Sequence, residues 1–420
     1  MLIEFRVKNY RCFRDEQVLS MVPSSDKELW DTNVIQTNFK PIPALLKSAV
    51  IYGPNAGGKS TVLDALRCMQ AVLMTSTQGP PDGKLPILPF WLNNTHKDLP
   101  TEFEISFLHE QVRYQYGFTA NREQIFEEFL LVYKNAKPQT WFERTYNEST
   151  KDYDYKFSSF FKGQKDSIKQ ATRPNALFFS TAVQLNNAQL RPLYNWFFGK
   201  LFIVLDAQSI KSWSNIGVLS ENDERRNTIC TFLKSADISI DSIEFIEKNV
   251  HDINKELKEQ KVFKGVDEKF YAPIFYHTTQ QGNAYFGLDQ ESQGTKVLLY
   301  TLSPLLDIIK RHGIICFDEL DNSLHTLLVR KIVDLFHLQQ DGDSAPQLIF
   351  TTHDTALLQD KSLFRRDQVW FVEKDQDQAS TLYSLAEFSP RKQEAIAKGY
   401  LDGRYGAIPL FNEWHVKENV

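Results

Sequence analysis

The chain has 420 residues, 42% hydrophobic and 24% charged, with a formal net charge of -5. This is an ordinary globular balance with enough length for two or three domains' worth of core, and its sign excludes wholesale coating of nucleic acid, so that any DNA or RNA site would be a local basic patch. Cys12, Cys68, Cys230 and Cys316 form no C-x-x-C pair, no cleavable signal pattern is present, and no run of about 18 apolar residues occurs, so a reducing, cytoplasmic setting without structural zinc or a membrane span is expected.

Residues 2–8 alternate, with Ile3, Phe5 and Val7 on one face and Glu4, Arg6 and Lys8 on the other, the period of a half-buried strand. A second alternating stretch near Gln17 to Val22 gives two strands before the next motif. Between them, Arg11 is either a contact to a bound nucleotide or a solvated arginine in a turn. The apolar run Ser48 to Tyr52 then reads as a buried strand. It enters Gly53-Pro54-Asn55-Ala56-Gly57-Gly58-Lys59-Ser60, which matches the phosphate-loop pattern G-x-x-x-x-G-K-[ST] at every fixed position. Thr61 to Thr75 continues at helical spacing, so strand, loop and helix come in the required order. The residues from Gly53 to Thr61 are expected to cradle phosphates: glycines let the backbone wrap an anion and the helix start aims free N–H groups at it. Lys59 would reach the β- and γ-phosphates, and Ser60 would offer its hydroxyl to magnesium.

Gln78 to Gly83 reads as a loop. The β-rich runs Glu102 to Phe107, Val112 to Thr119, Phe126 to Tyr133 and Thr140 to Tyr146 then read as an antiparallel meander. Residues 134–173 hold nine Lys or Arg against five Asp or Glu, interleaved with aromatics. That composition suits a partly solvated lobe whose aromatics are its small core, with a nucleic-acid surface as the alternative. Leu201 to Leu205 reads as a buried strand and Asp223 to Ser235 as a helix. Ile243 to Phe263 lacks sustained heptads, so no long coiled coil is expected. Lys269 to Thr278 and Asn283 to Leu288 form a hairpin.

Glu291-Ser292-Gln293-Gly294-Thr295 opens an apolar helix to Lys310. It is either an anion-presenting helix start or an ordinary N-terminal cap. Gly313 to Phe317 is an apolar strand ending in Asp318 and Glu319. Beside a phosphate loop, Asp318 is placed to hold magnesium and Glu319 to act as general base on water. Leu320 to His325 turns into a further helix. Ala345 to Phe350 is a strand ending at His353, a sensor of the γ-phosphate. The tail gives a hairpin, Gln368 to Lys374 and Ser380 to Leu385, whose Asp375-Gln376-Asp377 is a solvated turn, and a helix near Arg391 to Lys398.

The ordered set of Gly53 to Ser60, Ser292 to Thr295, Ile314 to Glu319 and His353 resembles the ABC-class ATPases. Phe5 to Phe13 looks like the N-terminal strand of their SMC and RecF branch. Arg365 to Lys374 and Tyr400 to Pro409 look like tail motifs of the AAA-like AbiL and RloA ATPases of phage-defence systems. The resemblance implies an α/β ABC-type ATPase head: a P-loop core sheet with helices, an antiparallel β lobe and a short mixed α/β insertion. Its segments would be 1–77 with the phosphate loop, 78–290 with lobe and insertion, and 291–420 with the remaining motifs. It further implies ATP and Mg2+, and a homodimer or larger assembly in which Ser292 and Gly294 of one protomer close the other's site, with Asp321 and Asn322 in the loop crossing between sites. The signature departs from L-S-G-G-Q, with Glu291 for Leu, Gln293 for the first Gly and Thr295 for Gln. The implied role is an ATPase sensor controlling a separate effector, a nuclease; the alternative is a RecF-like DNA-binding repair ATPase. A transporter subunit fits the N-terminal strand and tail less well.

Overall fold

A computed structural model of the chain describes residues 1–206, 216–248, 262–264, 269–322, 324–338, 345–391 and 394–409. Alternation at the N-terminus becomes strand β1 (Leu2–Lys8), with Ile3, Phe5 and Val7 inside. It pairs with β2 (Gln17–Ser20). A short antiparallel pair not expected from the sequence follows, β3 (Val34–Gln36) and β4 (Ala44–Leu46). Next come β5 (Ser48–Tyr52) and helix α1 (Lys59–Thr75). Strands β6 (Thr101–His109), β7 (Val112–Ala120), β8 (Ile125–Tyr133) and β9 (Gln139–Asn147) form the expected meander, extended by β10 (Asp152–Phe157). Together with β1 and β2 they make a seven-stranded antiparallel sheet in the order β10-β9-β8-β7-β6-β1-β2.

The second half supplies helix α2 (Phe178–Gln184), β11 (Leu201–Val204), helix α3 (Asp223–Ser235) and β12 (Ser242–Lys248). Of the Ile243 to Phe263 stretch, residues 249–261 lie outside the described residues. Strands β13 (Phe263–Lys264), β14 (Phe270–Thr279) and β15 (Gly282–Gly287) complete a small sheet with β12. After these come helix α4 (Gln293–Lys310), β16 (Ile314–Phe317), helix α5 (Thr326–His337), β17 (Gln347–Thr351), β18 (Val369–Lys374) and β19 (Ser380–Ser384). A six-stranded sheet runs β11-β16-β17-β5-β18-β19, parallel except for β19.

Strands β5, β16 and β17 are buried along their whole length, as a parallel sheet covered on both faces requires. The strand period divides their side chains between two cores. Ala49, Ile51, Ile203, Cys316 and Ile349 face α1 and the inner face of the antiparallel sheet. Val50, Tyr52, Ile315, Phe317 and Phe350 face the helices on the other side, α3, α4 and α5. Helix α1 is thus clamped between two sheets, burying Val62, Leu66, Met69 and Leu73, at about 1.5–3 kcal/mol for each large side chain. Gln347 staples the sheets: its amide oxygen accepts from Leu2 N (2.6 Å), and its amide nitrogen donates to the carbonyls of Leu2 (3.1 Å) and Leu46 (3.0 Å).

The segments 1–77, 78–290 and 291–420 interleave, since β1 and β2 join the lobe sheet and β11 joins the parallel one. Of the helix expected near Arg391 to Lys398, residues 392 and 393 lie outside the described residues, and the described helix is Ile396–Leu401. The Glu394 carboxylate accepts from Arg391 N (3.0 Å) and Tyr405 Oη (2.7 Å) and pairs with Arg404. No described helix is long and apolar enough to cross a membrane. Layers of antiparallel sheet, central helix, mostly parallel sheet and outer helices make this an α/β fold.

Candidate functional site

Parallel strands β5, β16 and β17 end at one edge of the sheet, where open α/β sheets bind ligands. From β5 the chain enters the phosphate loop. Gly58, immediately before α1, has φ 116°, a region that L side chains avoid. A Cβ there would lie 2.9 Å from Ser380 Oγ and 3.0 Å from Cys12 Sγ. A Cβ at Gly53 would run into the Val372 carbonyl. The loop is braced from behind: Ser380 Oγ donates to Gly57 O (2.7 Å), and Ser380 N to Cys12 O (2.8 Å). Asn55, Ala56 and Ser60 are exposed and Pro54 is half-buried. Lys59 is buried, its Nζ folded onto the carbonyls of Gly53 (2.9 Å) and Pro54 (3.1 Å). Burial pushes its pKa down, while Asp318, Glu319 and Asp321 pull it up. An ammonium tethered to loop carbonyls and facing three carboxylates is one that an incoming phosphate can draw off.

Those carboxylates follow β16. Thr351, at the end of the neighbouring β17, holds the Asp318 carboxylate and the Glu319 backbone: its Oγ1 donates to Asp318 Oδ1 (2.6 Å) and accepts from Glu319 N (2.8 Å). Glu319 has φ 52° and an exposed side chain. This left-handed backbone costs about 1–2 kcal/mol and is fixed by the Thr351 bond and by Leu320 N to Thr351 O (3.2 Å). Asp321 Oδ2 accepts from His353 N (3.3 Å), and Tyr52 Oη donates to Asp354 O (3.1 Å). The structure therefore gathers Lys59, Asp318, Glu319, Asp321 and His353. Sequence reasoning missed Thr351 and Ser380. The Thr351-Thr352 pair before His353 was the signal available for the first; nothing local pointed to the second.

Arg11 has φ 49° and pairs through Nε with Asp64 Oδ2 (2.8 Å). Asp64, buried on α1, also accepts from Tyr10 Oη (2.7 Å) and Arg67 Nη2 (2.7 Å). Arg11 and Arg67 line a cavity of about 480 Å³ along α1, walled by Cys68, Leu85, Ile87 and Leu88. Ser292 caps α4 on the opposite side of the sheet from α1, its Oγ accepting from Thr295 N (3.1 Å).

In residues 134–173 the packing follows the reading of a lobe with its own small core. Phe142, Phe157 and Phe161 pack on one another and on Phe178 of α2. They are the lobe's small core and not a stacking platform for bases. Arg144 is fully buried, 3.9 Å above the Tyr153 ring and 3.7 Å from Glu128. Glu128 in turn accepts from Phe178 N (2.6 Å) and Phe179 N (2.9 Å) at the start of α2. The exposed residues include Lys134, Lys137, Lys151 and Lys156, together with Glu148, Asp152, Asp154, Asp166 and Phe160.

A family model described as "AAA domain, putative AbiEii toxin, Type IV TA system" matches residues 48–359. No curated protein matches the chain in sequence. Among solved structures, the SMC head domain from Thermotoga maritima is 12% identical, with 91% of this chain and 98% of that one covered at a TM-score of 0.40. The Smc head domain with an extended coiled coil bound to the C-terminal domain of ScpA, from Pyrococcus furiosus, is 12% identical, with 92% and 97% covered at a TM-score of 0.36. At those scores neither places a residue of this chain.

Proposed function

The chain belongs to the AAA-domain family whose model spans residues 48–359, and from that premise we propose that it binds and hydrolyses ATP between two copies of itself. The observation that carries this reading is the buried Lys59 ammonium, held on the loop carbonyls and facing Asp318, Glu319 and Asp321. Loop N–H groups and the α1 N-terminus bind the phosphates, and Lys59 moves from its carbonyls onto the β- and γ-phosphate oxygens. Arg11, with Arg67, lines the cavity that takes the nucleoside side of the ligand. Ser60 and Asp318 supply a hydroxyl and a carboxylate oxygen, hard donors that suit magnesium, which is taken up with a triphosphate through one or two protein groups. That ion would neutralise charge on the phosphates. Glu319 accepts a proton from water as its oxygen bonds to the γ-phosphorus. The bond to the β–γ bridging oxygen breaks, and its electron pair leaves on ADP. His353 donates to the γ-phosphate, and Ser292 and Gly294 of a second protomer close the site.

The biological reading is an ATP-gated sensor of the AbiL and RloA kind that controls a separate effector, a nuclease. The toxin–antitoxin wording of the family description supports a two-component system. The RecF-like alternative draws on the exposed lysines of 134–173. ATP turnover by the purified chain, with and without its genomic neighbour and DNA, tests both. Nuclease activity that needs the neighbour and responds to ATP supports the sensor; salt-sensitive DNA binding by the chain alone favours the alternative. DNA cleavage by the chain alone would overturn the separate effector.

A further inference from the structure

The turn that carries Ser292 is tied to the hairpin before it through a side-chain pair whose carboxylate is enclosed. Glu291 Oε1 lies 2.8 Å from His277 Nε2 of β14, with the Glu291 side chain only 8% exposed and His277 23%. The His277 ring in turn meets Phe286 of β15 edge-on at 4.9 Å between centroids. Within the turn, Gly287 N donates to Gln290 Oε1 (2.7 Å), Lys296 Nζ reaches Asp289 O (3.1 Å), and Ser292 Oγ is 2.8 Å from Thr295 Oγ1. These contacts are local in sequence, the first of them from the end of β15. The Glu291–His277 pair instead anchors it to a different element, one residue from the hydroxyl that matters. A carboxylate so enclosed costs free energy unless a donor meets it, so its position is dictated by where β14 holds His277.

We propose that His277 is a positioning residue of the nucleotide site completed in trans: through Glu291 it sets where Ser292 and Gly294 stand, and so makes closure of the second protomer depend on the β14–β15 hairpin. This rests on the reading that Ser292 and Gly294 act across a dimer. Dislodging the pair should therefore spare ATP binding by a single protomer and impair assembly and turnover.

The test uses the Glu319→Gln chain, in which ATP is retained, with His277→Ala added. The expected result is ATP affinity of the separate protomer within about twofold of the parent and dimer affinity lowered about tenfold or more, the scale of leaving one partner of a buried pair unmatched. In the hydrolysing chain, kcat should fall with KM little changed. His277→Gln, whose amide can still donate to Glu291, should restore dimerisation. Glu291→Leu removes the need for a partner, so adding His277→Ala to it should cost little more, which a double-mutant cycle reads directly. Unchanged dimerisation in His277→Ala, or an equal loss of ATP affinity in the separate protomer, overturns the inference while leaving the sandwich intact. A Glu319→Gln parent that does not dimerise with ATP overturns the sandwich reading and this inference with it.

Discussion

The phosphate loop and the signature turn are both short polar stretches that open long helices, α1 and α4, yet the chain fixes them differently. The loop hangs between a fully buried central strand and a helix clamped by two sheets, and Ser380 and Cys12 press on it from behind. The signature turn sits on the small four-stranded sheet and is anchored sideways by Glu291 and His277. In the proposed mechanism the site that binds nucleotide in every state is built into the sheet, and the one that meets a partner is hung on a side-chain pair. The comparison teaches that changes on the first side should strike binding and chemistry, and changes on the second should strike assembly.

The largest expected effect breaks the first side outright. Lys59→Ala should lose ATP binding and reduce turnover by about 10²–10³-fold or more, read by nucleotide binding and phosphate release. Glu319→Gln should keep ATP binding and lower kcat by about 10²–10⁴-fold; turnover at the parent rate would show that another group takes the proton. Thr351→Val would strip Asp318 Oδ1 and Glu319 N of their shared partner. The cost should be about 1–3 kcal/mol of stability with roughly a tenfold loss in kcat, measured by denaturant unfolding and steady-state kinetics. Gly58→Ala should lower stability by about 1–3 kcal/mol through backbone strain and weaken ATP binding, while leaving the signature turn unaffected. The smallest effect belongs to Lys134→Glu with Lys137→Glu: basal ATP turnover should be unchanged, and any DNA binding should weaken with a shallower salt slope.

The two sides also differ in how far the sequence disclosed them. Gly53 to Ser60, Glu319 and the β1 alternation are local patterns, and local patterns survive into the fold because each fixes its own backbone. Thr351, Ser380 and Gln347 act on residues 32, 323 and 345 positions away, and spacing along the chain carries no trace of such contacts. The Asp152–Phe157 run alternates charged and aromatic residues. Its composition was compatible with a nucleic-acid surface, and only the packing of Phe157 on Phe178 assigns it to a small core. Glu394 accepts from Arg391 N and from Tyr405 Oη, and the second of these contacts leaves no trace in helical spacing.

The central claim is that ATP joins two copies of this chain across the edge where β5, β16 and β17 end. The most direct measurement is the solution mass of the Glu319→Gln chain with and without ATP and magnesium. The account expects one chain without nucleotide and two, or a multiple of two, with it. A single chain under both conditions, with ATP demonstrably bound, would contradict it.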